Sequence, residues 1–151
     1  MSSTVPNAIN AYSIYTDGGA RGNPGPAAFA FVIYDPTGKV IHEAKQYFGI
    51  STNNQAEYRA LVAALTYALQ VGLDYASVIN CYSDSQLMVR QVNGIYRVKN
   101  EELKPLVNEI KTLVTKLPVP IKFFDIRRDQ NKYADKLVNQ ALDEDGYGQI
   151  A

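Results

Sequence analysis

Residues 40–72, VIHEAKQYFGISTNNQAEYRALVAALTYALQVG, decide the fold, because the hydrophobic pattern changes its period inside them. Val40 to Phe48 reads as a strand. Beyond Ser51-Thr52-Asn53-Asn54, the residues Ala60, Leu61, Ala64, Leu65 and Ala68 recur at helical spacing until Gly72 stops the run. The joint between them is polar and carries Asn54 as the predicted helix cap.

Working outward toward the N-terminus, Tyr12 to Thr16 and Ala27 to Tyr34 are β-rich runs separated by a turn-rich loop holding Gly18, Gly19, Gly22, Pro24, Gly25 and Pro26. Asp35-Pro36-Thr37-Gly38 places Pro and Gly where a type I turn favours them, so the second strand hairpins into the third. Toward the C-terminus the pattern gives a strand over Ser77 to Tyr82, a short helix over Ser85 to Val92, and a helix over Glu101 to Leu117 capped by Asn100. A last strand covers Ile121 to Ile126, and Asn131 caps a helix whose stripe is Ala134, Leu137, Val138, Ala141 and Leu142. The order βββαβααβα predicts an α/β fold: a five-stranded mixed sheet, antiparallel β1-β2-β3 plus parallel strands, with helices on both faces. Residues 12–142 are expected to form one domain, with flexible tails over 1–11 and 143–151.

Composition narrows the function. A chain of 151 residues, 46% hydrophobic and 20% charged, fits one globular domain, and no apolar run approaches the roughly 18 residues of a membrane span. Met1 to Ala11 lacks the basic and apolar regions of a secretory signal, and one cysteine, Cys81, allows no internal disulfide, so a reducing cytoplasmic setting is expected. A single histidine, His42, leaves too few ligands for structural zinc and makes histidine-based nucleophilic schemes improbable. Formal charge is zero overall, yet Arg90 to Lys136 holds eleven basic against six acidic residues, which gives the second half a candidate phosphate-facing surface.

Chemistry must then run on carboxylates, and four stand out. Asp17 follows the first strand in Tyr15-Thr16-Asp17-Gly18-Gly19, where an acid is also an ordinary turn residue. Glu57 lies 4, 7, 8 and 11 residues before Leu61, Ala64, Leu65 and Ala68, on the stripe facing the sheet, although with Asn54 as cap it could instead close a capping box. Asp84 follows the strand ending at Tyr82, at a strand-to-helix junction where α/β sheets bind ligands and where Asp is also a common N-cap. Asp135 sits one turn into the last helix, where the helix dipole alone favours an acid. Four carboxylates gathered at one sheet would repel one another unless cations neutralised them. Mg²⁺ or Mn²⁺, bound as two ions, takes oxygen ligands, activates water and stabilises a leaving oxygen, which indicates phosphodiester hydrolysis.

Tyr15-Thr16-Asp17-Gly18-Gly19, Ser51-Thr52-Asn53-Asn54-Gln55-Ala56-Glu57, Ser83-Asp84-Ser85-Gln86 and Asn131-Lys132-Tyr133-Ala134-Asp135 together resemble, in order, the four motifs of type 1 ribonuclease H. The resemblance covers about Tyr12 to Leu142 and implies the ribonuclease H-like fold. It further implies endonucleolytic hydrolysis of the RNA strand of RNA/DNA hybrids, with two divalent ions held by Asp17, Glu57, Asp84 and Asp135. Asn54, Gln86 and the backbone of a Gly18-Gly19 loop are implied to touch the hybrid's minor groove, since amides can both donate to and accept from 2′-hydroxyls.

Two departures qualify the resemblance. The stretch before the last acid, Ile126-Arg127-Arg128-Asp129-Gln130-Asn131, has no histidine where bacterial members place one. Arg128 resembles the arginine of archaeal-type members; arginine keeps its charge and cannot shuttle a proton, so it is expected to serve phosphate or transition-state charge. Between Arg90 and Glu101 the Trp- and Lys-rich protrusion of the bacterial type is missing, leaving Arg97 and Lys99. Weaker, salt-dependent binding follows. The resemblance to archaeal-type members implies a looser substrate choice that includes double-stranded RNA, and a monomer is expected. The rival readings are another nuclease of the same superfamily, a non-catalytic hybrid-binding module, and a partner-binding adaptor.

Overall fold

A computed structural model describes residues 10–73 and 78–146. The strands are β1 (Ala11–Ala20), β2 (Gly25–Tyr34), β3 (Val40–Ser51), β4 (Val78–Ser83) and β5 (Ile121–Asp125), and the helices α1 (Asn53–Val71), α2 (Gln86–Val92), α3 (Lys104–Lys116) and α4 (Lys132–Ala141). One sheet carries all five strands in the order β3-β2-β1-β4-β5, with β1, β2 and β3 antiparallel and β4 and β5 added in parallel. The mixed sheet expected from the element order is therefore present, with helices on both faces.

Central strands must be apolar on both sides, and β2 shows it: Phe31 and Ile33 enter the larger core with Ile14, Leu61, Leu65 and Ile110, while Ala28, Ala30 and Val32 meet Leu137, Val138 and Ala141 of α4. The Asp35 turn forms as expected, with the Gly38 N–H donating to the Asp35 carbonyl at 2.9 Å. His42 stacks on Tyr67 at 3.8 Å between ring centroids and packs as an aromatic.

Several boundaries differ from the sequence reading. β1 does not end at Thr16: it runs to Ala20, with Asp17, Gly18 and Gly19 paired to Ala30, Phe29 and Ala28. The cap of α1 is Thr52, whose side chain accepts from Gln55 N, and not Asn54. Ser85, not Asp84, caps α2, accepting from Met88 N. Asn100 accepts from Glu102 N in a turn, and α3 starts later, with Pro105 at its second position where a missing N–H costs nothing. Past α4 the chain continues as a π-helical turn over Leu142–Gly146, tied down by ion pairs from Arg21 to Asp143 and from Lys45 to Glu144. Ser77 of the expected fourth strand, residues 1–9 of the expected N-terminal tail and residues 147–151 of the expected C-terminal tail lie outside the described residues.

Candidate active site

Asp17 leaves the middle of the central strand β1, Glu57 the second turn of α1, Asp84 the end of β4 and Asp135 the first turn of α4. The sheet order makes this meeting unavoidable, since β1 and β4 are parallel neighbours whose register sets Thr16 beside Ser83. One carboxylate oxygen each from Asp17, Glu57 and Asp84 lies within 4.8 Å of the other two. Asp135 stands near enough for its charge to act on Asp17. All four line a cleft of about 380 Å³ with Gly18, Gly19 and Arg128.

Gly18 is what lets α1 bring Glu57 this close. A Cβ on Gly18 would sit 2.3 Å from the Ala56 carbonyl carbon and oxygen, so only glycine lets the helix rest on the strand. The glycine pair is thus not a loop; it lies in the strand, and its packing role is read from the helix against it.

The electrostatics are those of a site built for positive charge. Burial, then the charges of Asp84 and Asp135, pushes Asp17 up to about 8. Glu57 is held well above the ordinary carboxylate range by burial and by Asp17 and Asp84. Asp84 is raised by burial, opposed by Arg128. The Arg128 Nε stands 3.6 Å from Asp84 Oδ2, with the guanidinium 86% exposed and the carboxylate 7% exposed. The Glu57 Oε1 is buried and has no hydrogen-bond partner. Crowded, raised carboxylates and an orphaned acceptor are what an oxygen-preferring divalent cation would satisfy, and the donor set fits such an ion.

The capping explanation for Glu57 fails, because with Thr52 as cap Glu57 stands at the fifth helical position. The capping explanation for Asp84 fails with Ser85 in that place. Asn54 and Gln86 are exposed on the first turns of α1 and α2 and are not among the residues that line the cleft.

Two asparagines escaped the sequence reading. Asn53 lines the cleft; its Oδ1 accepts from Ala20 N at 2.8 Å and its N–H donates to Asn23 Oδ1 at 2.9 Å, which binds α1 to the β1–β2 turn. Asn131 was expected to cap α4, yet its side chain makes no capping bond. Its Nδ2 donates to the Thr16 carbonyl at 2.8 Å, and its own carbonyl accepts from Asp135 N at 3.1 Å, so one residue links the backbones beside Asp17 and Asp135. Nothing in a local pattern separates such a cross-link from a cap.

A family model described as reverse transcriptase-like matches residues 15–141. A bifunctional protein of Mycobacterium tuberculosis is 40% identical over 131 residues, covering 86% of this chain and 35% of its own length. Ribonuclease HI of Halobacterium salinarum is 38% identical over 130 residues, covering 86% of this chain and 63% of its own. This chain therefore spans about a third of the first relative and under two thirds of the second. Among solved structures, LC11-RNase H1 in complex with RNA/DNA hybrid superposes with a TM-score of 0.83 at 43% identity, covering 88% of this chain and 97% of that one.

Proposed function

The chain belongs to the type 1 ribonuclease H family, and on that footing we propose that it is an endoribonuclease that hydrolyses the RNA strand of RNA/DNA hybrids. The observation that carries the proposal is the convergence of Asp17, Glu57, Asp84 and Asp135, from four separate elements, on one cleft. A pair of Mg²⁺ or Mn²⁺ ions held by these four would supply an activated water and charge for the leaving oxygen.

The chain's own groups do the rest. Glu57 and Asp17 are brought together by the close approach of the α1 backbone to Gly18, so both carboxylates line the cleft before any ligand arrives. Arg128, exposed at the rim beside Asp84, meets the scissile phosphate and offsets charge that develops there. Asn54 and Gln86, exposed outside the cleft, read the 2′-hydroxyls of the flanking groove. The site is complete within one domain of one chain, so a monomer suffices, and the lone, buried thiol of Cys81 suits the reducing cytoplasm. Among the described residues no helix is long and apolar enough to cross a membrane.

The short segment between α2 and α3 favours a looser grip, with Arg97 and Lys99 its only basic residues before the turn at Glu101, and on that ground double-stranded RNA is included as a substrate. The test is cleavage of matched RNA/DNA hybrid, double-stranded RNA and double-stranded DNA in Mg²⁺ and in Mn²⁺, with Asp84→Asn alongside. Metal-dependent cutting of the RNA strand that disappears in Asp84→Asn is the expected result. Tight hybrid binding without cutting would replace the enzyme by a binding module.

A further inference from the structure

The carboxylate cleft holds two arginines, and they have different partners. Arg128 faces Asp84. Arg21 lines the same cleft from the β1–β2 turn, with its Nη2 donating to Asn139 Oδ1 at 3.2 Å and its Nη1 standing 2.7 Å from Asp143 Oδ1. Asn139 belongs to the turn of α4 that follows Asp135, about 6 Å further along the helix axis, so Arg21 is held roughly one helical turn away from Asp135.

The turn that carries Arg21 is fixed on both sides. The Arg21 N–H donates to the Pro26 carbonyl at 2.8 Å and the Ala20 N–H to Asn53 Oδ1 at 2.8 Å, while a Cβ on Gly25 would lie 2.2 Å from the Arg21 carbonyl oxygen, so the chain closes tightly here. The ion pair is less firmly held than the turn. The Arg21 side chain is 41% exposed and that of Asp143 66% exposed, and a pair so open to water adds little to stability. The segment bearing Asp143 has other anchors, since Leu142 is buried and Lys45 pairs with Glu144 at 3.2 Å. Asp143 can therefore release Arg21 while its segment stays folded. A guanidinium fits a phosphate as it fits a carboxylate, by paired charge-assisted hydrogen bonds.

We propose that Arg21 is a substrate-binding residue, which takes a backbone phosphate of the hybrid flanking the scissile one, and that the Asp143 carboxylate occupies that phosphate's place in the free chain. The inference rests on the hybrid-nuclease reading and deepens it. A cleft lined by four carboxylates repels a polyanion, and Arg21 offsets that repulsion on the side away from Arg128 and Asp84. The pairing also fixes a sign. An ion pair kept only for structure makes its two partners matter in the same direction, whereas a place shared between Asp143 and a phosphate makes them matter in opposite directions.

The experiment measures kcat and KM for cleavage of RNA/DNA hybrid by the full chain over a series of salt concentrations. Arg21→Gln should raise KM about tenfold, the loss of one charge-assisted contact, with kcat unchanged, and should lower the slope of log KM against log salt by about one. Asp143→Asn should lower KM about threefold by removing the competitor. The double variant should match Arg21→Gln, because Asp143 acts through Arg21. Lys45→Gln, which loosens the same segment from outside the cleft, should leave KM within about twofold of the parent. A rise of KM in both single variants, an unchanged KM in Arg21→Gln, or a fall of KM when Asp143→Asn is added to Arg21→Gln would overturn the proposal. If Arg21→Gln folds poorly by circular dichroism, Asp143→Asn decides alone, since a KM that stays or rises contradicts a displaced competitor. A parent that cuts no hybrid in Mg²⁺ or Mn²⁺ ends the nuclease reading and this one with it, whereas a cutting parent with an unmoved Arg21→Gln ends only this one.

Discussion

The two faces of the sheet are built to different ends. On one, Ile14, Phe31 and Ile33 meet Leu61 and Leu65 of α1 and Ile110 of α3 in a large apolar cluster. On the other, α4 rests on Ala28, Ala30 and Val32, and the apolar cluster there is small. Short side chains let a helix pack closely on a sheet, and the α4 that packs on them carries Asp135 into the cleft with Asp17. The thick face is where folding free energy is collected; the thin face spends some of it on crowded acids. Glu57 marks the border, since α1 belongs to the thick face and still delivers a carboxylate through the gap left by Gly18.

The comparison breaks first at the acids. Asp84→Asn should lower hybrid cleavage by about 10³-fold, the several kcal/mol of charge stabilisation that the bound ions supply, while circular dichroism stays native. A variant that still cuts at the parent rate would remove the thin face from the chemistry. The thick face is tested by denaturant unfolding: Leu61→Ala should cost about 2–5 kcal/mol. Val138→Ala in α4 should cost roughly 1.5 kcal/mol, from about 0.8 kcal/mol per buried methylene. Equal losses would erase the distinction between the faces.

Metal should reverse the strain on the thin face. Mg²⁺ at 100 times its dissociation constant should stabilise the fold by about 2.7 kcal/mol, and Asp17→Asn should remove most of that gain in thermal melts.

The pH dependence without metal tests the same crowding in another way. Asp17 is raised from its ordinary 3.8 to about 8 in the fold, so between those values the folded chain holds a proton that the unfolded chain has lost. Stability from this group is complete below about pH 4 and declines as pH rises to about 8. Melting temperature followed over that window should fall in the parent and fall less steeply in Asp17→Asn, where Glu57 and Asp84 remain raised; a parent that gains stability with rising pH would contradict the raised carboxylates.

Much of this was legible in the sequence because it rests on periodicity. The change of period after Ser51 marked α1, and the alternation of strands with helices implied the parallel additions to a first antiparallel hairpin set. Glu57 could be read as inward-facing from its spacing to Leu61, Ala64, Leu65 and Ala68, all of which are buried. What stayed hidden depends on partners distant in the chain. Asp17 looked like a turn residue because Asp-Gly-Gly is turn-like locally, and only pairing with β2 extends the strand through it. Thr52, Asn53 and Asn54 are all competent caps by residue type, and the choice of Thr52 frees Asn53 to bind Ala20, a contact 33 residues away. Asn131 reads as a cap for the same reason, although its amide is spent 115 residues away on Thr16.

The order of the elements has a consequence for biosynthesis. A chain emerging from the ribosome exposes β1 to β3 first and α4 last among the described helices, and domains assemble in that direction. Asp17, Glu57 and Asp84 are therefore made well before Asp135, whose helix must settle on the finished sheet. A nascent chain stalled between residues 84 and 135 carries three of the acids and not the fourth, so the carboxylate group is incomplete until translation has passed that point.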